Sequence, residues 1–368
     1  MRKNILILAH NYGIQFIEGC NQYAQLFDKT QYSVTVAYLI GAEDAVVKQK
    51  TEAEKIIFLN LPSKAIRGLK ISAIKKILAM CREQQFEMVF CHRYKPTYIM
   101  MWVALFVRIP RLFFIMHALE TMRAYSRRLI TACLYRENMT FIGVSNAVRE
   151  DLRHDMWRVP ASHITSYYNI LDYELFEPQL YTAQQARELL KLPPEAFVFG
   201  TIGRLVKEKD QQTLILAFSE IKPFCPGIKL VLMGDGKLET DLKQLAAKLN
   251  LSEDIIFTGF IPDGFRYMKA FNIFVLNSVE EAFGRVLLEA MVAYTPIIAS
   301  RADGIPEVVG DAGFVVTAKN PRELATVMQH TYSLSATELT AIGNKAYQRL
   351  VDTFSIQRFK QLFWETIS

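Results

Sequence analysis

The sequence predicts an α/β protein with two doubly wound parallel-sheet domains in tandem and a ligand-binding cleft between them. Its 368 residues are 51% hydrophobic and 22% charged, a composition that suits two globular cores and excludes a largely disordered chain. Apolar runs of strand length alternate with helix-length segments, as expected for βαβ units. The alternation pauses only once, near residue 175.

In the first half, six apolar runs predict strands that are covered on both faces: 4–9, 33–39, 56–59, 88–91, 112–116 and 140–144. Several are separated by segments that predict helices: 15–27, 68–84, 96–107 and 122–138. Parallel strands need such crossover helices, so this order indicates a parallel sheet.

The second half repeats this organisation. Strands are predicted at 197–203, 229–233, 255–257, 273–276 and 296–299, with helices at 210–222, 237–249 and 284–292. Because 172–196 is rich in Glu, Gln and Pro and lacks an apolar run, we place the domains at 1–175 and 176–352. Four aromatic residues at helical spacing predict a terminal helix over 353–368 that packs back toward the first domain.

Charge and cysteine content limit the partners and the cellular compartment that the sequence predicts. The net charge is +6, and residues 1–180 alone carry 23 Lys and Arg against 16 Asp and Glu. We therefore expect the first half to bind an anionic partner; ordinary solvated lysines are the alternative. The five scattered cysteines fit buried thiols in a reducing cytoplasm. The apolar run 5–9 is too short for a signal peptide, no segment reaches transmembrane length, and no nucleic-acid-binding motif accompanies the basic half.

Glycine turns follow three strands of the second domain: Gly200–Gly203, Gly234–Gly236 and Thr258–Gly259. Carboxyl ends of parallel strands meet at one edge, where ligands bind in open sheets. Arg204 and Lys209 follow the first turn, and such cations favour an anion. Each turn alone could be an ordinary loop; three together predict a ligand-lined rim.

The segment from Ser278 to Met291 carries the strongest pattern. A strand ends, and a helix is predicted to begin near Phe283. Two carboxylates stand eight positions apart: Glu281 precedes the helix, and Glu289 lies about two turns further on. Free N–H groups at the helix start favour an anion. Glu289 lies among apolar residues, so a partly buried carboxylate there needs a hydrogen-bond donor such as a ribose diol.

The Glu281 to Glu289 spacing resembles the E-x7-E motif of retaining glycosyltransferases of the GT-B fold, specifically glycosyltransferase family 4. Gly203-Arg204-Leu205, Gly234-Asp235-Gly236, Thr258-Gly259-Phe260 and the segment 302–309 resemble the successive signatures of that family in the same order, and 143–148 resembles the segment that ends its N-terminal domain. The resemblance implies two Rossmann-like domains and transfer of a sugar from a nucleotide-diphosphate sugar.

By the same resemblance, Arg204 and Lys209 would bind the diphosphate, Glu289 the ribose and Glu281 the transferred sugar. Backbone amides at the helix start would assist at Gly284, Arg285, Val286 and Leu287. The chain has no D-x-D motif, so we expect no metal and no other cofactor, with cations and a helix N-terminus stabilising the leaving diphosphate.

In the first domain the resemblance implies a sugar contact from His117, which follows the strand 112–116; a structural histidine is the alternative. The loop after the first strand, 10–15, departs from the family's Gly-Gly pattern and keeps only Gly13 for close approach to the donor. His92, Arg93 and Lys95 follow another strand and predict contact with an anionic acceptor; a solvated loop is the alternative.

Arg123, Arg127 and Arg128, interspersed with apolar residues on a predicted helix, suggest attachment to an anionic membrane leaflet, with ordinary amphipathic packing as the alternative. The predicted function is sugar transfer from a nucleotide sugar, with UDP favoured, to a saccharide or lipid-linked acceptor in lipopolysaccharide, capsule or other cell-surface glycan synthesis, in the cytoplasm. Three alternatives stay open: a UDP-sugar epimerase, a UDP-sugar hydrolase and a degenerate sugar-binding scaffold. An NAD oxidoreductase is disfavoured because no G-x-G-x-x-G follows the first strand.

Overall fold

Two parallel sheets, one in each half of the chain, organise the fold. The structure, a computed structural model, describes residues 2–367, apart from the side chains at positions 14 and 15. Contacts divide the chain into a first unit that runs to Asn169 and includes the segment from Leu362 onward, and a second unit, Ile170–Gln361. The sequence had suggested a division between residues 175 and 176.

The first unit contains a seven-stranded parallel sheet in the order β3-β2-β1-β4-β5-β6-β7. Its strands are β1 (Lys3–Ala9), β2 (Tyr32–Tyr38), β3 (Lys55–Phe58), β4 (Phe86–His92), β5 (Arg111–Met116), β6 (Met139–Gly143) and β7 (Ile164–Ser166). Its helices are α1 (Ile14–Ala24), α2 (Ala45–Lys50), α3 (Ile71–Gln84), α4 (Tyr94–Val103), α5 (Tyr125–Leu134) and α6 (Asn146–Asp155). The strand order reverses between β1 and β4, the position at which such sheets bind ligands.

The second unit contains a six-stranded parallel sheet in the order β10-β9-β8-β11-β12-β13. Its strands are β8 (Phe197–Ile202), β9 (Ile228–Met233), β10 (Ile255–Gly259), β11 (Ile273–Leu276), β12 (Ile297–Ser300) and β13 (Phe314–Val316). Its helices are α7 (Tyr173–Phe176), α8 (Ala183–Leu189), α9 (Gln211–Ile221), α10 (Glu239–Lys248), α11 (Arg285–Val292), α12 (Ile305–Val309), α13 (Pro321–Ser333) and α14 (Ala336–Phe354). Here the order reverses between β8 and β11.

Strand burial explains why the apolar runs identify the sheets. In β1 the five residues from Ile5 to Ala9 are fully buried, since helices cover both faces of a parallel sheet. The core of the second unit is built similarly, with Phe199, Phe218 and Leu232 fully buried in one apolar cluster. The sheet topology confirms the predicted α/β architecture of two doubly wound parallel sheets.

The last helix, α15 (Ile356–Ile367), ends against the sheet of the first unit. The Phe363 ring lies 5.5 Å from that of Phe113, and the Trp364 ring lies 5.9 Å from that of Phe27, measured between ring centroids. Because these aromatic groups are large, burying them anchors the end of the chain to this unit.

Some elements escaped sequence analysis. The three-residue strands β7 and β13 are too short to show as apolar runs. The predicted helix 68–84 begins only at Ile71, because Gly68 and Lys70 both have positive φ angles (53° and 55°).

Four of the five cysteines are buried as expected, whereas Cys133, on α5, is exposed.

Candidate active site

The three glycine turns of the second unit pack against one another at the carboxyl ends of β8, β9 and β10. The amide of Gly234 donates to the carbonyl of Gly259 at 2.9 Å, and the amide of Leu205 donates to that of Asp235 at 2.7 Å. A Cβ on Gly234 would lie 2.1 Å from the carbonyl oxygen of Gly203, and its φ of 137° disfavours other residues. Glycine is therefore required for the close approach of these turns.

An ion pair spans the position where the strand order of this sheet reverses. Lys209, in the short 3-10 turn after β8, pairs through its Nζ with Glu281 in the loop after β11, and the side chains are 21% and 18% exposed. Two further hydrogen bonds connect these loops. The amide of Val279 donates to the carbonyl of Glu208 at 2.9 Å, and the side-chain amide of Asn277 donates to the carbonyl of Asp210. The sequence-predicted Lys209 and Glu281 thus meet in one place.

A third loop, after β12, fixes the backbone at Glu281. The Asp303 carboxylate accepts from the amide of Glu281 at 2.9 Å, and the amide of Gly304 donates to the carbonyl of Glu281 at 3.0 Å. Sequence analysis missed the roles of Asp303 and Asn277. The only signal for Asp303 was its place in the segment 302–309, whose Asp-Gly pair indicates a turn but not its contact.

The helix that carries Glu289 begins later than predicted. α11 starts at Arg285, with Gly284 as N-cap at a φ of 84°, and not near Phe283. Glu289 therefore lies about one turn into the helix. The predicted separation of two helical turns between Glu281 and Glu289 is wrong because residues 281–284 form a loop.

Side chains at the start of α11 differ in exposure. Arg285, Val286 and Glu289 are half-buried, whereas Leu287 is fully buried and its amide donates to the carbonyl of Gly284 at 2.9 Å. No side chain caps the start of α11, so backbone amides there can donate hydrogen bonds to an anion.

Two buried polar atoms and one exposed cation lie beside the same loops. Arg204 is exposed, and its carbonyl accepts from the side-chain amide of Gln211 at 3.0 Å. The Gln211 Oε1 and the Ser278 hydroxyl are buried and have no hydrogen-bond partner among residues 2–367. Buried polar atoms are usually satisfied, so a buried water molecule would be a suitable partner for each of them. Neither residue was singled out from the sequence.

In the first unit, histidines follow three neighbouring strands: His10 after β1, His92 at the end of β4 and His117 after β5. His92 Nδ1 lies 3.0 Å from His117 Nε2, and the two rings are stacked. Burial lowers the pKa of His117 to about 4, with Arg93 adding to the effect. Burial and His117 hold the pKa of His92 well below its usual value, so near neutral pH one ring donates and the other accepts.

The loop after β4 brings two of the predicted acceptor residues close to His10. Burial, Lys95 and Arg93 together lower the pKa of His10 to about 4. Arg93 is exposed, has a φ of 75°, and places its guanidinium carbon 4.1 Å from the centre of the Phe16 ring. Gly13 is the N-cap of α1 and is exposed at a φ of −52°, which other residues adopt equally well.

The three arginines expected on one helix have different environments. α5 begins at Tyr125, so Arg123 precedes it and pairs with Glu120. Arg128 pairs with the buried carboxylate of Asp155. Two of the three charges are thus compensated within the protein.

Between residues 2 and 367, no helix combines the length and apolar character needed to cross a bilayer. Over the same range, no group of three or more His, Cys, Asp or Glu side chains is arranged to hold a metal ion.

Comparison with known proteins identifies both units. Residues 183–349 match the family described as Glycosyl transferases group 1, and residues 22–175 match Glycosyltransferase Family 4. The N-acetylgalactosamine-N,N'-diacetylbacillosaminyl-diphospho-undecaprenol 4-alpha-N-acetylgalactosaminyltransferase of Campylobacter jejuni is 26% identical over 295 residues, 78% of this chain and 74% of that protein. The lipopolysaccharide core biosynthesis glycosyltransferase LpsE of Rhizobium meliloti is 27% identical over 184 residues, 50% of this chain and 53% of that protein.

Among solved structures, Anabaena Alr3699/HepE in complex with UDP superposes with a TM-score of 0.80 at 22% identity, covering 100% of this chain and 99% of that one. Fold and family matches together define the class: the chain is a glycosyltransferase of the GT-B fold. It belongs to glycosyltransferase family 4, and its relatives include enzymes of lipopolysaccharide, capsule and glycolipid synthesis.

Proposed function

We propose that this glycosyltransferase transfers a sugar, with retention of anomeric configuration, from a nucleotide-diphosphate sugar to a saccharide or lipid-linked acceptor in cell-surface glycan synthesis. The observation that supports it most is the Lys209–Glu281 pair at the strand-order reversal of the second sheet, beside the uncapped start of α11. Cations and a helix N-terminus without a side-chain cap suit a diphosphate, and carboxylates suit sugar hydroxyls. UDP is favoured because the solved Anabaena relative binds it.

In this proposal the donor diphosphate replaces Glu281 as the ion-pair partner of Lys209 and also contacts Arg204. Amides at the start of α11 complete the diphosphate contacts, Glu289 binds the ribose, and Glu281 binds the transferred sugar. Negative charge develops on the diphosphate as the glycosidic bond breaks, so fixed cations and amides that stabilise this charge lower the barrier. No metal or other cofactor is needed in this scheme.

His117 is proposed to contact the transferred sugar through a neutral imidazole. Its low pKa, near 4, keeps it uncharged at neutral pH, and its contact with His92 orients the ring. A neutral ring can donate one hydrogen bond to a sugar hydroxyl or accept one from it. Gly13, in the loop after β1, is proposed to approach the donor, and His92, Arg93 and Lys95 belong to the acceptor side.

The test is turnover in EDTA. The purified protein is incubated with UDP-glucose, UDP-galactose or UDP-N-acetylglucosamine, with and without an acceptor, and the products are examined by proton NMR. The acceptors are neutral octyl glycosides and phosphorylated saccharides. We expect transfer to an acceptor with the α configuration of the donor retained in the new glycosidic bond. A β-linked product would contradict retention.

The same assay separates the alternatives. Free sugar or an epimerised nucleotide sugar formed without acceptor would favour the hydrolase or epimerase, and absence of both turnover and nucleotide binding would favour a sugar-binding scaffold.

We also propose action in the cytoplasm at the inner face of the membrane. Tyr125 and Leu129 lie one turn apart on α5, and the Trp157 ring centroid is 5.3 Å from that of Tyr125. These three side chains are 69%, 44% and 49% exposed, and aromatic residues favour bilayer interfaces. Flotation with phosphatidylglycerol vesicles should carry the wild-type protein upward and leave the Tyr125→Ser/Leu129→Ser variant below. Wild-type protein that stays with the unbound fraction would exclude the proposal.

A further inference from the structure

Two tyrosines on α4 hold cations that come from two other elements. Tyr94 and Tyr98 are one turn apart, with ring centroids separated by 6.1 Å. The Lys70 ammonium, at the start of α3, lies 3.9 Å from the centre of the Tyr98 ring, and the Arg127 guanidinium carbon, on α5, lies 4.5 Å from that of Tyr94. Cations are attracted to the faces of aromatic rings, so the two tyrosines hold the charges of Lys70 and Arg127 beside the first turns of α4.

Arg93, the N-cap of α4, and Lys95, in its first turn, place two more charges at the start of this helix. Burial, and then the positive charges of Lys95 and Arg127, lower the pKa of Lys70, so each of these two charges acts on Lys70. Lys95 and Arg93 likewise act together on His10. Lys70, Arg93, Lys95 and Arg127 form what we call the basic cluster; Arg93 is exposed, and the other three are half-buried.

No carboxylate pairs with the basic cluster within the part of the chain that the structure describes. Lys70 Nζ donates to the carbonyl of Gly68 at 2.8 Å, and Arg127 Nη1 donates to that of Thr121 at 2.6 Å. These acceptors are neutral: they position the side chains but leave the positive charge uncompensated.

The neighbouring arginines behave differently. Arg123 and Arg128 flank Arg127 and pair with Glu120 and Asp155, so carboxylates are present in this region but do not contact the cluster. Within 55–82, the sequence holds seven Lys and Arg residues and no Asp or Glu. The protein therefore concentrates positive charge here and supplies no internal counter-charge.

We propose that the basic cluster binds a phosphoryl group of the acceptor, so that the acceptor substrate is a phosphate or diphosphate ester. One carboxylate would compensate a single charge, whereas a phosphate or diphosphate carries more charge and offers oxygens to both the planar forks of arginine and the ammonium groups of lysine. The first turn of α4 has no side-chain cap, so the backbone amides of Tyr94 and Lys95 can also donate to an anion there. This inference rests on the proposed function, because the phosphoryl group is assigned to the acceptor.

The test is calorimetric titration of the full-length protein with inorganic pyrophosphate while the donor site is saturated with UDP. We expect one pyrophosphate to bind the wild-type protein, and Lys70→Met and Arg127→Met each to weaken it about tenfold or more, because each removes a charge-assisted contact. Arg123→Met removes a neighbouring charge that is already paired, and as the matched control it should bind pyrophosphate like wild type.

The melting temperature distinguishes a role of Lys70 in phosphate binding from a role in stabilising the fold. Because Lys70 is repelled by its neighbours, Lys70→Met should leave the melting temperature at low salt unchanged or raise it while it weakens pyrophosphate. A parallel fall in melting temperature and affinity would instead indicate that Lys70 serves the fold, and would overturn the assignment of this residue to phosphate binding.

Two competitors identify the source of the phosphoryl group. Stronger displacement of pyrophosphate by farnesyl diphosphate supports a lipid diphosphate, and stronger displacement by glucose 1-phosphate supports a phosphorylated saccharide. Absence of pyrophosphate binding in UDP-saturated protein, or wild-type affinity in both methionine variants, would overturn the inference. Pyrophosphate binding that depends on Lys70, in a protein that fails to bind UDP, would keep this site and remove the donor assignment.

Discussion

Replacing Lys209 with methionine should weaken UDP binding strongly and destabilise the protein modestly. The change removes the charge but keeps the aliphatic stem. Loss of a charge-assisted hydrogen bond costs about 1.5–3 kcal/mol, which corresponds to roughly a 10- to 150-fold weaker UDP affinity. Because Lys209 and Glu281 are about one-fifth exposed, their pair lies between surface and buried cases, and we expect to lose about 2 kcal/mol of unfolding free energy.

Isothermal titration calorimetry with UDP in EDTA measures the affinity, and urea unfolding measures the stability. The matched control is Lys207→Met, which removes an exposed lysine from the same turn and should change neither quantity appreciably. A folded Lys209→Met protein that binds UDP within threefold of wild type would refute the assignment of Lys209 to the diphosphate.

Three further predictions concern both units. Glu289→Ala should lower sugar transfer by orders of magnitude while urea unfolding stays near wild type; unchanged turnover at saturating donor would contradict the ribose contact. Folding lowers the pKa of His117 from 6.5 to about 4, so the unfolded chain binds more protons than the folded chain between these pH values. The free energy of unfolding should therefore fall as pH drops from 6.5 to 4. Because His10 and His92 also have lowered pKa values, His117→Gln should reduce this slope in urea titrations without abolishing it. Gly234→Ala, which places Cβ against a carbonyl, should lower the melting temperature more than Gly227→Ala, where φ is also positive but no atom lies within 4 Å; equal shifts would contradict the close-approach explanation.

Sequence patterns predicted the sheets well because parallel strands are buried on both faces and therefore appear as continuous apolar runs, as at Ile5–Ala9. The same patterns placed Lys209 and Glu281 at strand ends, and the sheet order brings them together. Three-residue strands such as β13 carry too few residues to produce a periodic signal.

Contacts between residues that are far apart in the chain could not be predicted from the sequence. The role of Asp303 depends on its reaching the amide of Glu281, twenty-two positions away, and nothing in composition or spacing encodes that hydrogen bond. Likewise, the sequence does not show that Lys70 and Arg127, which are far apart along the chain, lie over two neighbouring tyrosine rings of α4. The arginines around Arg127 looked equivalent in the sequence, and only the positions of Glu120 and Asp155 distinguish them.

The most direct test of a metal-independent nucleotide-sugar site in the second unit is a thermal-shift comparison of UDP, GDP, ADP and dTDP in EDTA. A ligand that binds only the folded protein at 100 times its dissociation constant adds about 2.7 kcal/mol, which such a measurement resolves. We expect UDP to raise the melting temperature clearly in wild-type protein and much less in Lys209→Met. No shift with any of the four nucleotides would contradict the proposed donor site.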